Sequence, residues 1–316
     1  MRILNNLCRL SIALAASGIF LCAGPAAAAD GGKLDTAKIE QITGMKGTYN
    51  EKENVFKVTV PRADVQVSVD GWKMPPFMGL GPWAAFTPHH SSTMVMGDMV
   101  LFQDEVNPAM SAALDSGLEV TALHNHFFYD EPKVYFMHIG GEGSVDKLAT
   151  GVRAVFDKVK EIRAQNSQPA TLFPGSRIPE KSSISPEPLQ AILGSKGQVN
   201  NGMFKVVIGR TTSMNGTMVG NEMGVNTWAA FAGSDDNAVV DGDFAMHESE
   251  LQTVLKSMRK GGINIVAIHH HMGDEKPKFL FLHYWGRGKA ADLADTLRSA
   301  MQAQAAVSPG AKGHGG

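Results

Sequence analysis

The stretch 121-TALHNHFFYDEPKVYFMHIGG-141 decides the fold, because two apolar runs rich in β-branched and aromatic residues flank a short turn. The first run ends in His124-Asn125-His126, and the second contains His138. Apolar runs around an Asp-Glu-Pro turn are typical of a β-hairpin. A second stretch, 266-VAIHHHMGDEKPKFLFLHYWGRG-288, has the same layout. The hairpin and its histidines are therefore predicted twice.

These two stretches belong to a longer internal duplication. Met78–Ala149 aligns with Met223–Ala294 at a constant offset of 145 and without gaps, and 22 of the 72 aligned positions are identical. Such a period indicates a duplicated domain. Strands, a helix, the hairpin and a closing helix follow one another in each copy. The sequence therefore predicts an α+β fold of two homologous repeats, each a mainly antiparallel sheet packed with two helices, related by a pseudo-two-fold axis.

The flanking segments give the domain organisation. A positive start, an apolar run of limited length and Ala27-Ala28-Ala29 predict a secretory signal peptide over residues 1–29. Repeat 1 then spans 30–165, a proline- and serine-rich linker spans 166–187, repeat 2 spans 188–304 and a disordered tail spans 305–316. We expect the mature protein to be exported, to the periplasm or outside the cell, with lipid anchoring through Cys22 left open.

Composition restricts the partners. The formal net charge is −2, and removal of two leader arginines takes it to −4, which argues against nucleic acid as a partner. No other apolar run reaches membrane-spanning length, so we expect no transmembrane span in the mature chain. Both cysteines, Cys8 and Cys22, lie in the leader. A metal site in the mature chain would therefore use His, Asp, Glu or Met.

The register of the hairpin decides whether its histidines meet. Residues i and i+2 of a strand share a face, about 6.5–7 Å apart, so His124 and His126 project together, as do His269 and His271. If paired residue numbers sum to 262, His138 lies opposite His124. Any even sum keeps all three on one face, and any odd sum turns His138 away.

Three imidazoles from neighbouring strands suit a zinc ion with a fourth position open. The metal ligands predicted on this basis are His124, His126, His138, His269, His271 and His283. The alternative is that these histidines pack in the core, since duplication also preserves packing residues. Their recurrence at aligned positions favours metal binding or a catalytic imidazole cluster. Copper is the lesser alternative, because the methionine cluster Met94, Met96 and Met99 has no partners in the other copy.

Two pairs of acids also recur. Asp98 and Asp243 each follow a glycine, which is most simply a turn. Glu105 and Glu250 lie at the predicted start of a helix, where the helix dipole stabilises a carboxylate. In the functional alternative, Glu105 and Glu250 are a fourth ligand or the general base for a metal-bound water.

The pattern "WAAF … GD … E … TALHNH … P…FMH..G.G", present in both copies, resembles the LppY/LpqO family of exported bacterial proteins, many of them lipoproteins. The resemblance covers nearly all of the mature chain, and the histidine-bearing strand carries most of it. It implies export and a duplicated domain, and it supplies no reaction.

Two hypotheses follow for the function. The first is an exported metal-binding protein which, if catalytic, hydrolyses a cell-envelope substrate with metal-bound water and with Glu105 or Glu250 as base. The second is a non-enzymatic binding protein for a metal ion or a small-molecule or envelope ligand, which would use the cleft between the two halves. The sequence leaves the choice between them open.

Overall fold

The computed structural model describes residues 34–308. The signal peptide predicted over 1–29 and the tail residues 309–316 lie outside the described residues. Among the helices of residues 34–308, none is long and apolar enough to cross a membrane.

The elements alternate between strands and helices in the same order in both repeats. The helices are α1 Thr36–Thr43, α2 Gln103–Asp115, α3 Val145–Gln165, α4 Pro186–Leu193, α5 Leu251–Lys260 and α6 Ala290–Val307. The strands of repeat 1 are β1 Gly47–Asn50, β2 Val55–Thr59, β3 Ser68–Val69, β4 Trp72–Lys73, β5 Trp83–His89, β6 Ser92–Phe102, β7 Glu119–His124, β8 Asp130–Glu131 and β9 Val134–Gly143. Those of repeat 2 are β10 Gln198–Asn200, β11 Met203–Gly209, β12 Thr212–Met214, β13 Thr217–Val219, β14 Asn226–Ser234, β15 Asn237–His247, β16 Asn264–His269, β17 Glu275–Lys276 and β18 Phe279–Gly288.

The two repeats share one sheet. Its twelve strands run in the order β1-β2-β5-β6-β9-β7-β16-β18-β15-β14-β11-β10, and every neighbouring pair is antiparallel. The α+β class is as predicted, but the expectation of one sheet per repeat is wrong. The histidine-bearing strands β7 and β16 pair with each other, through Leu123 and Ile268, and so join the halves.

Each repeat has three helices rather than the predicted two. The additional helices are α1 and α4, each only eight residues long and followed by a glycine in the left-handed conformation, Gly44 with φ 69° and Gly194 with φ 66°. Helix α4 begins at Pro186, inside the predicted linker, because proline fits the first turn of a helix. Helix α6 continues to Val307, so residues 305–307 of the predicted tail are helical.

One continuous apolar core lies between the six helices and one face of the large sheet, and it draws residues from both repeats. Two smaller apolar clusters lie apart from it. One forms near the small sheet β4-β3-β8, around Val67 and Phe136, and the other near the small sheet β13-β12-β17, around Val219 and Phe281. The small sheets therefore flank the other face of the large sheet.

Two side-chain amides complete the hydrogen bonding at the junction of the repeats. Asn107 of α2 bonds both the N–H and the carbonyl of Ile265, at 2.8 and 3.1 Å. Gln252 of α5 does the same for Val120, at 3.0 and 2.9 Å. Each amide thus supplies hydrogen-bond partners to backbone groups of the opposite repeat, beside the single β7–β16 pair. Buried backbone groups require such partners.

Candidate metal centre

A β-bulge in β7 decides where the third histidine of repeat 1 lies. Before the bulge Val120 pairs with Ile139, and after it Ala122 pairs with His138. The extra residue, Thr121, changes the sum of paired residue numbers from odd to even. Since an odd register would turn His138 away from His124, the bulge is what brings these two side chains to one face.

The observed register differs in detail from the predicted one. His124 lies opposite Phe136 rather than His138, so the sum of 262 is wrong, although the sum is still even. The rings nevertheless meet, with centroids 5.1 Å apart for His124 and His138 and 5.2 Å apart for His124 and His126.

Repeat 2 contains the same bulge, between Ile265 and Ala267, and Ala267 pairs with His283. The ring centroid of His269 lies 5.1 Å from that of His271 and 4.7 Å from that of His283. All six predicted ligands are therefore brought together in two groups of three, one in each repeat.

An aspartate joins each group of histidines. Asp98 pairs directly with His138 and Asp243 with His283, and directly paired residues project to the same face. Both aspartates lie in the middle of long strands, β6 and β15, so the turn predicted at these positions is wrong.

In repeat 2 the donor atoms lie close to the spacing of a metal site. One ligand atom each of Asp243, His269 and His271 lies within 4.8 Å of the other two. His271 Nε2 is 3.3 Å from Asp243 Oδ2. Bonds of about 2.0–2.1 Å in a tetrahedron place ligand atoms roughly 3.3–3.4 Å apart, so this pair already has the spacing that zinc requires.

Two of these donor groups hold buried atoms without a partner. Asp243 Oδ1 and His269 Nε2 have no hydrogen-bond partner among residues 34–308. Burial raises the pKa of Asp243, an effect opposed by the nearby His283 and His271, and burial lowers the pKa of His269. Buried polar atoms are normally satisfied, and a bound cation would satisfy both.

The group in repeat 1 contains a direct contact between two histidines. His138 Nε2 lies 3.0 Å from His124 Nε2, and Asp98 Oδ1 is buried without a hydrogen-bond partner in the described part of the chain. Burial, followed by the charge of His124, lowers the pKa of His126, and Asp98 opposes this shift. The neutral imidazole that this favours is the form that binds metals.

The central histidine of each group is oriented by the backbone. His124 Nδ1 faces the carbonyl of Asn125 at 3.5 Å, and His269 Nδ1 faces the carbonyl of His270 at 3.4 Å. A backbone carbonyl at one ring nitrogen favours a hydrogen there and leaves the other nitrogen free to ligate, an arrangement common in metal sites. The other nitrogen, Nε2, lies 3.0 Å from His138 Nε2 in His124 and is buried without a partner within residues 34–308 in His269.

The outer histidines lie just beyond the strands and are held by aromatic stacking. His126 stacks on Phe136 with centroids 3.4 Å apart, and His271 stacks on Phe281 at 3.5 Å. Both histidines are exposed at the surface, so solvent reaches this side of each group.

Both groups lie on the same face of the shared sheet. Leu123 and Ile268 pair with each other and point into the core under the helices. Because side chains alternate along a strand, the adjacent His124 and His269 point to the opposite face. The two groups are therefore neighbours across the β7–β16 pair.

The geometry does not support Glu105 as the general base. The carboxylate is fully buried at the start of α2, and Arg62 donates to both its oxygens at 2.7 and 2.9 Å. Arg163 Nε lies 2.9 Å from Oε1, and the N–H of Phe102 donates to Oε2 at 2.9 Å. Both oxygens of this carboxylate are in contact with arginines or a backbone N–H, so its role is to hold the start of α2 in place.

Glu250 is held in a similar way. It accepts hydrogen bonds from Arg210, Gln304, Ser308 and the N–H of His247. Burial alone would raise its pKa, but these donors overcome that effect and lower the pKa from 4.5 to about 2. Such a carboxylate is a poor proton acceptor near neutral pH, so the base predicted at Glu250 is not supported either.

Comparisons with known proteins identify a family. A family model described as a Domain of Unknown Function (DUF1259) matches residues 37–158 and again residues 187–303. No curated protein matches the chain.

Two microcompartment shell proteins and the protein EtuB are among the similar solved structures. The trimeric shell protein PduB is 10% identical, covering 81% of this chain and 89% of that chain, with a TM-score of 0.20. The double ringed trimeric shell protein MSM0271 from the RMM microcompartment is 10% identical over 70% and 85%, with a TM-score of 0.20. EtuB from Clostridium kluyveri is 9% identical over 83% and 91%, with a TM-score of 0.22. Similarity at this level supports no inference about this chain.

Proposed function

Since the chain belongs to the family of the Domain of Unknown Function (DUF1259), which occurs in it twice, we propose a function from the geometry of its paired sites. The protein binds a divalent transition-metal ion, with zinc as the first candidate. The ligands come from Asp243, His269, His271 and His283 in repeat 2. The corresponding set in repeat 1 is Asp98, His124, His126 and His138.

One observation carries this proposal. In each repeat a β-bulge at the same position brings histidines from two strands to one face, opposite an aspartate from a third strand. In repeat 2 the resulting group contains buried donor atoms, Asp243 Oδ1 and His269 Nε2, that have no partner within residues 34–308. Packing alone gives no reason to bury unsatisfied acceptors, whereas a cation does.

The strand order supports a pseudo-two-fold relation between the repeats. From the β7–β16 pair outward, each strand of repeat 1 has its sequence counterpart at the same distance in repeat 2. The relation would place the two ions side by side on one face of the sheet rather than in a cleft between separate sheets.

The donor set ranks the metals. Imidazole and carboxylate suit zinc, and two histidines with one carboxylate also occur in non-haem iron(II) sites. Copper ranks lower, because the methionines of the 94–99 cluster lie in β6 and Met96 is exposed, with no thioether among the ligands proposed here. Zinc therefore comes first and iron(II) second.

Hydrolysis is the second candidate function. The exposed outer histidines, His126 and His271, leave room for a water or substrate on the solvent side. If three of the four donor groups hold the ion, a water can take the remaining position, and the released carboxylate of Asp98 or Asp243 would be its proton acceptor in place of the glutamates. A non-enzymatic carrier of metal or of an envelope ligand uses the same site without turnover.

We also propose that this family is the LppY/LpqO family of exported bacterial proteins, and that the mature chain acts in the periplasm or outside the cell. Secretion and processing near residue 29 are tested by the N-terminal sequence of the protein recovered from a cell-envelope fraction.

Metal content tests the central proposal. Residues 30–316, purified without a histidine tag and loaded with zinc or iron(II), are dialysed and analysed by mass spectrometry for bound metal. We expect at least one equivalent in the wild type and a loss in His269→Ala and His271→Ala. His270→Ala is the matched control, since His270 Nδ1 contacts the carbonyl of Phe279 at 3.1 Å and lies outside the proposed ligand set. A wild type that retains no metal, or equal loss in the control, overturns the proposal.

Turnover separates the two functions. Metal-loaded wild type is assayed on ester, phosphate and peptide substrates beside His124→Ala and His269→Ala. Hydrolysis that both variants lower supports the enzyme, and stoichiometric metal with no turnover supports the carrier.

A further inference from the structure

Repeat 1 contains a cavity of about 340 Å³ between the segment after β2, strand β6 and helix α3. Its walls are mainly apolar and include Met99, Leu101, Val155, Phe156 and Val159. The volume lies at the lower end of the range of about 300–1,000 Å³ typical of small-molecule sites. Its lining residues include no member of the histidine groups.

Lys160 and Arg163, at the C-terminal part of α3, line this cavity as cations. The lining also contains Arg62 and Asp64, which pair with each other at 2.8 Å. The Arg163 side chain is only 8% exposed and pairs with Glu105 and with Asp104. Its remaining terminal nitrogen, Nη1, is buried and has no hydrogen-bond partner among the residues that the structure describes. Asp104 Oδ1, on the carboxylate that pairs with Arg163, is also buried without a partner in the described residues. An arginine presents a planar set of donors that matches a carboxylate, so Nη1 can take a further acceptor.

Repeat 2 shows that the fold does not require this cavity. At the corresponding place, between Ile208, Thr227, Phe244 and Met301, the free volume is about 10 Å³. At the offset of 145, Phe244 replaces Met99 and Met301 replaces Phe156, so the aromatic ring comes from the sheet in repeat 2 and from the helix in repeat 1.

Two further exchanges remove the charge. Gln304 stands at the position of Val159, and Ser308 at that of Arg163. Gln304 and Ser308 donate to Glu250 at 2.7 and 2.5 Å, which is the task that Arg163 performs for Glu105. The buried glutamate of repeat 2 is therefore satisfied with one arginine, Arg210, so a second arginine is not required for this task.

We propose that repeat 1 binds a small apolar carboxylic acid in this cavity. Its hydrocarbon part packs on Met99, Phe156 and Val159, and its carboxylate accepts hydrogen bonds from Arg163, with Lys160 at the mouth. Burial of the apolar part supplies most of the binding free energy, and the arginine selects the charged head. This site is separate from the metal centre and does not depend on it.

The test is calorimetric titration of the zinc-loaded protein with sodium octanoate, and with methyl octanoate as the neutral analogue. We expect octanoate to bind and the ester to bind at least about tenfold more weakly, since it lacks the charge-assisted hydrogen bond. The double variant Val159→Gln/Arg163→Ser transfers the two donors that Gln304 and Ser308 provide for Glu250. Asp104 loses Arg163 in this variant and keeps the hydrogen bond from the N–H of Ala170. The double variant should weaken octanoate binding at least about tenfold, as should Met99→Phe, while zinc content stays at the wild-type value.

Glu161→Ala is the matched control on the same helix. Glu161 is exposed and pairs with the half-buried Lys158, so this variant should bind octanoate like the wild type. Thermal unfolding of each variant checks that the fold is kept. No octanoate binding by the wild type, equal binding of the ester, or unchanged binding in Met99→Phe and in the double variant overturns the proposal. Zinc content is read in the same samples, so failure of this site is distinguishable from failure of the metal site.

Discussion

The two repeats build the same histidine site on different supports. The bulge, the aspartate pairing and the stacked outer histidine recur at an offset of 145. The buried glutamates at the start of α2 and directly before α5 have different surroundings. Glu105 contacts two arginines, whereas Glu250 contacts one arginine, Gln304 and Ser308. The difference shows that the site geometry has been retained in both copies while the structure behind it diverged.

The largest expected effect concerns the arginine partners of these glutamates. Arg210→Met leaves Glu250 buried with no cation, whereas Arg62→Met leaves Glu105 with Arg163. Removing one partner of a buried ion pair costs about 3–5 kcal/mol, so we expect this range for Arg210→Met and less for Arg62→Met. Urea unfolding of both variants measures the difference. The reverse order would show that the second arginine of repeat 1 does not compensate.

Acid should destabilise the protein through Glu250. Its pKa is about 2 in the folded protein and 4.5 without the fold, so its contribution to stability is complete above pH 4.5 and is lost as the pH falls towards 2. The loss is on the order of 3 kcal/mol. Unfolding free energies between pH 6 and 3 should fall less steeply in Glu250→Gln than in the wild type. Equal slopes would exclude Glu250 as the source.

A smaller effect distinguishes the two metal groups. Asp243 has a histidine nitrogen at 3.3 Å and belongs to the group whose ligand atoms lie within 4.8 Å, so repeat 2 should hold metal more tightly. We expect Asp243→Asn to lower zinc affinity about 10–100-fold and Asp98→Asn to lower it less. Competition with a chromophoric chelator measures both. Equal losses would remove the asymmetry while leaving metal binding itself intact.

Much of the fold was predictable because the duplication exposes it. Strands, helices and the hairpin follow from local patterns, and the recurrence of His124 and His269 at aligned positions identifies the site. The bulge was not predictable, because Thr121 and Val266 are ordinary strand residues. The amides that hydrogen-bond the residues beside them, Gln252 to Val120 and Asn107 to Ile265, lie 132 and 158 residues away in the chain.

The aspartates were missed for a local reason. Gly97-Asp98 and Gly242-Asp243 have the composition of a turn, yet both lie within strands. The glycine at 242 is explained by packing, since a Cβ there would lie 2.1 Å from the hydroxyl of Tyr284. The anchoring of Glu105 was not predicted because its partner Arg62 lies 43 residues earlier, a separation that no local pattern reveals.

The single pairing between β7 and β16 has a consequence for assembly. A repeat produced alone would leave the backbone of its histidine strand bare along one side, and a bare edge strand readily recruits another. The partner that fits this edge best is an identical copy of the repeat, whose Asn107 or Gln252 could hydrogen-bond the backbone of the histidine strand. Isolated repeats should therefore form homodimers that restore the shared sheet, and the tandem chain is then a dimer fused into one polypeptide.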